Sequence, residues 1–103
     1  MAYRLIFTRE ARDQLDAIYD YIAEAASPDI AQRFTDGIVG RLTILPDFPR
    51  VGTPRDDIRG GLRTLTYRRR VTIALMVEDT TVVVIGFYYG GQDFETLLRD
   101  EQP

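Results

Sequence analysis

The stretch Gly61-Leu-Arg-Thr-Leu-Thr-Tyr-Arg-Arg-Arg-Val-Thr-Ile-Ala-Leu-Met-Val-Glu-Asp-Thr-Thr-Val-Val-Val-Ile-Gly-Phe-Tyr-Tyr-Gly-Gly-Gln-Asp93 decides how the rest of the chain must fold. Two β-branched and aromatic runs, Val71–Val77 and Val82–Tyr89, flank the polar Glu78-Asp79-Thr80-Thr81, which is a hairpin pattern. A third run, Leu62–Tyr67, precedes them, with Arg68, Arg69 and Arg70 at the intervening turn. Val82–Tyr89 is apolar at both parities, so neither face can be left to water, and it is expected to be the central strand. Gly86 within it marks a bulge or a close backbone approach. Val71, Ile73, Leu75 and Val77 alternate with Thr72, Ala74 and Met76, so their face needs a bulky partner from earlier in the chain.

Two helices supply that partner. Tyr3–Phe7 reads as a short edge strand, after which Thr8 offers an N-cap and Glu10 a first-turn charge that suits the helix dipole. Ala11, Leu15, Ile18, Ile22 and Ala25 recur at spacings of three and four, predicting an amphipathic helix over about 9–25. Ser27-Pro28 then starts a second helix with the stripe Ile30, Phe34, Ile38, Leu42 and Leu45, closed by Pro46 and Pro49. Only Ala26 and Ser27 lie between them, so the helices form an antiparallel hairpin with their stripes toward the sheet. Gly37 and Gly40 weaken the second helix by about 1 kcal/mol each, and close approach of a neighbour is the expected compensation.

Residues 46–61 form an ordered loop anchored by Phe48, Val51 and Ile58. Asp93 can cap a short C-terminal helix carrying Phe94, Leu97 and Leu98, with a frayed tail beyond. The expected fold is α+β: a strand, a two-helix hairpin and a three-stranded antiparallel meander. The helices cover one face of a four-stranded sheet.

At 103 residues the chain makes one domain that buries ~65% of its unfolded surface. It has neither cysteine nor histidine, so disulfides, thiolate metal sites and ordinary zinc sites are excluded. No cofactor is expected. The N-terminus is too short in apolar residues for a signal segment or a membrane span, so a cytoplasmic protein without membrane contact is expected.

Net charge is −3, unevenly spread: residues 50–70 hold seven Arg against two Asp, while both flanking segments are acidic. A field that attracts nucleic acid to the whole protein is therefore absent, and function is to be sought at the local basic patch.

In this order these elements resemble the toxins of type II toxin–antitoxin modules, the RelE/ParE superfamily. The first helix is similar to its signature through Ala11, Leu15, Ile18, Tyr21 and Ile22. The match continues through Ser27, Pro28 and Ala31, then Pro49 and Gly52, Gly61-Leu62-Arg63, and Tyr89-Gly90-Gly91-Gln92-Asp93. The long helical hairpin and the Leu62-Arg63 entry look more like the ParE branch, whose members poison gyrase, than the RelE branch, whose members cleave mRNA on the ribosome. The family commonly has His-Gly-Arg-Arg-Asp where this chain has Tyr89-Gly90-Gly91-Gln92-Asp93, and tyrosines where it has Val71 and Leu75.

RNA cleavage requires groups that take and give protons and cations that stabilise the phosphorane. Of the Lys, Arg and Tyr set that RelE-like enzymes use, only Arg63 carries over. The resemblance therefore implies a binding toxin with no catalytic residues and no metal. Its candidates for target contact are Arg63, Arg68, Arg69, Arg70, Tyr88, Tyr89, Gln92 and Asp93. For Arg63 an ion pair with Asp56, Asp57 or Asp93 is an equal alternative, and one of Tyr88 and Tyr89 is expected to pack while the other makes contact.

The resemblance also implies a ParD-like antitoxin whose tail folds onto the toxin, giving a hetero-oligomer. Candidate antitoxin contacts are Leu15, Ile18, Tyr19, Ile22, Phe34 and Ile38. DNA gyrase or a related topoisomerase is the implied target, without strong direct nucleic-acid binding. The alternatives are a ribosome-dependent mRNA endonuclease and a degenerate toxin that only binds antitoxin.

Overall fold

A computed structural model describes residues 2–90, in which β1 (Arg4–Phe7), α1 (Arg9–Ala25) and α2 (Pro28–Leu42) precede β2 (Thr53–Pro54), β3 (Leu62–Tyr67), β4 (Val71–Glu78) and β5 (Thr81–Tyr89). The short C-terminal helix expected after Asp93, with Gln92 and Asp93 themselves, lies outside the described residues.

Both helix starts follow from their caps. The Thr8 hydroxyl accepts the Ala11 N–H and the Ser27 hydroxyl accepts the Ile30 N–H, each at 3.1 Å. Each cap satisfies a donor that the first helical turn leaves without a partner. From α1, Ala11, Ile18 and Ile22 are buried, and from α2 Ala31, Ile38 and Leu42 join them over Leu65, Val71, Ile73, Leu75, Val82, Val84 and Phe87. The two stripes thus bury against one face of the sheet. Gly37 allows this approach, because a Cβ there would overlap the Tyr67 hydroxyl, whereas Gly40 faces open space and has no such compensation.

The sheet has five strands in the order β1-β5-β4-β3-β2, correcting the expected four. The added strand is the two-residue β2, which pairs Thr53 with Thr64 and Pro54 with Arg63 at the rim, where a proline without an N–H is tolerated. β1 runs parallel to β5 and the other pairings are antiparallel. A second correction concerns the middle of the sheet, which is β4. β5 lies one place out, between β4 and β1.

A register shift explains why β5 is apolar at both parities. Leu75 pairs with Val84 but Ala74 pairs with Gly86, so Ile85 is an extra residue on β5. Val82 and Val84 face the helices before the bulge, and Phe87 and Tyr89 face them after it. Tyr88 is turned to the opposite face and is 2% exposed.

There it packs with Ile58, Leu62 and Ala74, flanked by Met76 and Ile85. Gly86 accommodates the ring, since a Cβ would lie 2.5 Å from the Tyr88 hydroxyl oxygen. The loop before β3 covers this second core, and Ile58 is held in place by its N–H bond to the Arg55 carbonyl at 3.0 Å. Burying a side chain of this size contributes on the order of 2–3 kcal/mol, so both faces of β5 hold the fold together.

Beyond Phe7 no strand lies beside the edge of β5 among the described residues, and α1 supplies an acceptor there. The Phe87 N–H donates to Gln14 Oε1 at 2.8 Å. This bond fixes the end of β5 that carries Tyr89 against α1.

Candidate functional site

The basic segment divides between the two ends of β3. At the leaving end the Arg70 N–H donates to the Tyr67 carbonyl at 3.0 Å, closing a tight turn, and the Gly90 N–H donates to the Arg70 carbonyl at 2.8 Å. The two central residues, Arg68 (φ 51°) and Arg69 (φ 58°), are both left-handed. Tight hairpins require that geometry to match strand twist and usually place Asn-Gly there. A larger L residue costs about 1 kcal/mol or more at each position. Here the turn presents two arginines instead, and Arg68, Arg69 and Arg70 are all exposed.

Beside the turn lies a row of aromatic rings drawn from four elements. Tyr21 of α1 meets Tyr89 of β5 at 5.6 Å between centroids, and Phe34 of α2 stands edge-on to Tyr89 at 5.9 Å and to Tyr67 of β3 at 5.3 Å. The Arg68 guanidinium sits 5.4 Å over the Tyr67 ring. Such contacts hold a cation in place while leaving its N–H groups available at the edge. Between Arg68, Arg33, Ile30 and Phe34 the surface dips into a depression of about 230 Å³. Tyr21 is 61% exposed and Ile30 49% exposed, so apolar surface is available beside the cations.

At the entering end Arg63 has a different role. Its Nε donates to the Val51 carbonyl at 3.1 Å, and its Nη2 to the carbonyls of Arg50 at 2.6 Å and Gly52 at 3.2 Å. Of the carboxylates expected to pair with it, Asp56 and Asp57 are engaged elsewhere, and Asp93 lies outside the described residues. Asp57 takes both Nε and Nη2 of Arg55, at 3.0 and 2.9 Å, and Asp56 accepts the Gly61 N–H at 2.8 Å. Arg63 thus fastens the loop that crosses in front of β3. Along a strand, five residues separate it from Arg68 by ~17 Å, so the two ends make separate surfaces.

Of the tyrosine pair, Tyr88 is the packing residue and Tyr89 the half-buried one whose ring joins the aromatic row. Among the antitoxin candidates, Ile18, Ile22 and Ile38 are buried in the helix-side core, and Phe34 is half-buried against Tyr67 and Tyr89. Leu15 and Tyr19 are half-buried and line a groove between the helices with Gln32, Thr35, Asp36 and Val39. Sequence reasoning missed Ile30, Arg33 and Tyr67 as members of the corner beside the turn. The available signal was Gly37, a helical glycine that implied a large side chain reaching α2 from the sheet. Among the described residues no group of three Asp or Glu converges as a metal site requires, and no helix is long and apolar enough to cross a membrane.

Comparison with known proteins agrees with this architecture. A profile described as ParE toxin of type II toxin-antitoxin system, parDE, matches residues 5–94. Toxin ParE3 of Caulobacter vibrioides is 31% identical over 83 residues, covering 80% of this chain and 83% of that protein. A chain from the chromosomal ParDE TA system of P. aeruginosa superposes with a TM-score of 0.77 at 27% identity, covering 86% of this chain and 97% of its own. A mutant of the E. coli toxin RelE in the free state shares the fold, with a TM-score of 0.70 at 16% identity over 98% of this chain and 97% of its own. The chain belongs to the ParE toxin family of type II toxin–antitoxin systems.

Proposed function

We propose that this toxin acts in the cytoplasm by binding DNA gyrase or a related topoisomerase and stabilising its cleaved-DNA complex. A ParD-like antitoxin would hold it inactive in a hetero-oligomer. The observation that carries the binding reading is the engagement of Arg63 with three backbone carbonyls. It is the one cation that the resemblance carries over from the ribonuclease set, and its donors are directed at the scaffold. Phosphoryl chemistry needs a cation aimed at the developing charge. An acidic chain, −3 overall, also suits a protein target better than a polyanion.

The test is to mix purified toxin with gyrase, ATP and supercoiled plasmid, and separately with translating ribosomes. The expected result is linear plasmid released after denaturing the trapped enzyme, with transcripts intact. Cleaved transcripts with unaffected plasmid would replace this reading with ribosome-dependent mRNA cleavage. Inertness in both assays, together with harmless expression in the absence of antitoxin, would leave a module that only binds antitoxin.

A further inference from the structure

We propose that the corner formed by the β3–β4 turn and the start of α2 is a docking site for an acidic protein segment carrying one large apolar side chain. The proposal rests on the toxin reading for the existence of a protein partner and specifies that partner's chemistry. The apolar side chain enters the depression between Ile30 and Phe34, and the flanking carboxylates meet Arg33 and Arg68, with Arg69 and Arg70 extending the cationic rim.

Three observations support this choice. First, the depression of about 230 Å³ is smaller than the roughly 300 Å³ at which small-molecule sites begin, so it suits a single side chain rather than a cofactor. Second, among the described residues none of Arg33, Arg68, Arg69 and Arg70 makes an ion pair, while Arg68 is held over Tyr67. Among the described residues Arg68 is therefore positioned without being neutralised, and Arg33, Arg69 and Arg70 add unpaired charge around it, which is the complement of a carboxylate pattern. Third, the two residues at the tip occupy left-handed positions that Asn-Gly would fill with less strain. Folding alone does not favour arginine at either position.

A nucleic-acid strand is the less suitable occupant. Its affinity depends on a continuous row of neutralised phosphates, whereas here Arg33 and Arg68 share their depression with the apolar side chains of Ile30 and Phe34.

The experiment uses the full chain and fluorescence anisotropy. The probe is a short labelled peptide of Asp and Glu around a central Leu-Phe pair. The comparators are the same peptide with Asn and Gln for the acids, the acidic peptide with Ser for Leu-Phe, and oligo-dT. The expected outcome is binding of the first peptide with Kd of roughly 10–100 µM, weakened about tenfold or more by either peptide change. The double variant Arg68→Asn with Arg69→Gly, which relieves the turn, is expected to weaken binding about tenfold while its melting temperature does not fall. Arg33→Gln should weaken binding several-fold.

No binding, equal binding of the neutral peptide, or unchanged affinity in the turn variant would overturn the proposal. Tighter binding of oligo-dT that is lost in the turn variant would reassign the corner to nucleic acid. Because peptide binding is measured without gyrase, the two proposals fail separately. A toxin that traps cleaved plasmid but ignores the peptide keeps its target and loses this site, and the opposite pattern keeps the site and loses the target.

Discussion

Arg63 and the Arg68-Arg69 pair occupy opposite ends of one six-residue strand and act on the fold in opposite directions. At the entering end a guanidinium gathers three carbonyls from residues 50–52 and ties a loop to the sheet. At the leaving end two side chains hold left-handed backbone that disfavours them. The same residue type is thus a fastening at one end and a strain at the other, and the strained end is the one with aromatic surface beside it. Local charge in the sequence marks both ends equally, whereas geometry separates them.

The comparison is broken most directly at Arg63. Removing its side chain leaves three carbonyls without their charged donor, and a single hydrogen bond to a charged group contributes about 1.5–3 kcal/mol, less where it is exposed. Because two of the three bonds are exposed, Arg63→Ala is expected to destabilise by about 2 kcal/mol, a fall in Tm of roughly 8–16 °C for a domain of this size. Arg63→Lys should recover less than half of that, since an ammonium cannot reproduce the forked donor. Thermal melts of both variants check this. An unchanged Tm for Arg63→Ala would return Arg63 to the list of free contact residues.

Gln14→Ala addresses how the strained end is held in place. The substitution removes the acceptor of the Phe87 N–H in a part-buried position, and an unsatisfied donor there costs about 1–2 kcal/mol. Hydrogen exchange of the Phe87 amide should accelerate more than exchange at Val82 or Val84 on the same strand. Uniform acceleration along β5 would mean that the bond is not local to that end.

These examples also show what the sequence can and cannot reveal. The caps at Thr8 and Ser27 were legible because a cap depends on a few adjacent residues, and both formed as expected. The middle of each helix stripe was legible because burial follows its period, whereas Ala25 and Ile30, expected on the stripes, lie at helix ends and are exposed. β2 was not, since two residues in a Pro- and Gly-rich loop become a strand only when β3 presents an edge. The bulge after Val84 was visible as Gly86, but the exchange of faces that separates Tyr88 from Tyr89 required the register with β4. Carbonyl partners leave no mark in a sequence, so Arg63 pointed toward Asp56 and Asp57, while Asp56 was capping the Gly61 N–H and Asp57 was binding Arg55. The corner of Tyr21, Phe34, Tyr67 and Tyr89 draws on four elements and exists only once they are stacked.

Relieving the turn tests the other half of the comparison, with the opposite sign. Arg68→Asn with Arg69→Gly removes about 1 kcal/mol of backbone strain at each position. Against this stand roughly 0.5 kcal/mol from the lost cation–π contact and a similar entropic cost of glycine. The net expectation is a stabilisation of about 1 kcal/mol, read as a rise of roughly 4–8 °C in Tm. A fall in Tm would show that the arginines support the turn, and the contrast between the two ends would be lost.

Arg70 separates backbone from side chain within the same turn. Its N–H donates to the Tyr67 carbonyl and its own carbonyl accepts the Gly90 N–H. Both bonds survive any substitution other than proline. It is not among the residues with positive φ, and its side chain is exposed. Arg70→Gln should therefore change stability by less than about 0.5 kcal/mol in either direction, within the error of a melt. That near-zero effect is informative beside the other two. A loss approaching that of Arg63→Ala would mean that charge anywhere on the turn stabilises the sheet, so the sign difference between the ends of β3 would owe nothing to left-handed backbone. A gain matching the Asn-Gly variant would attribute the strain to like-charge repulsion among neighbouring arginines, which added salt would suppress by screening, whereas strain from positive φ is insensitive to salt.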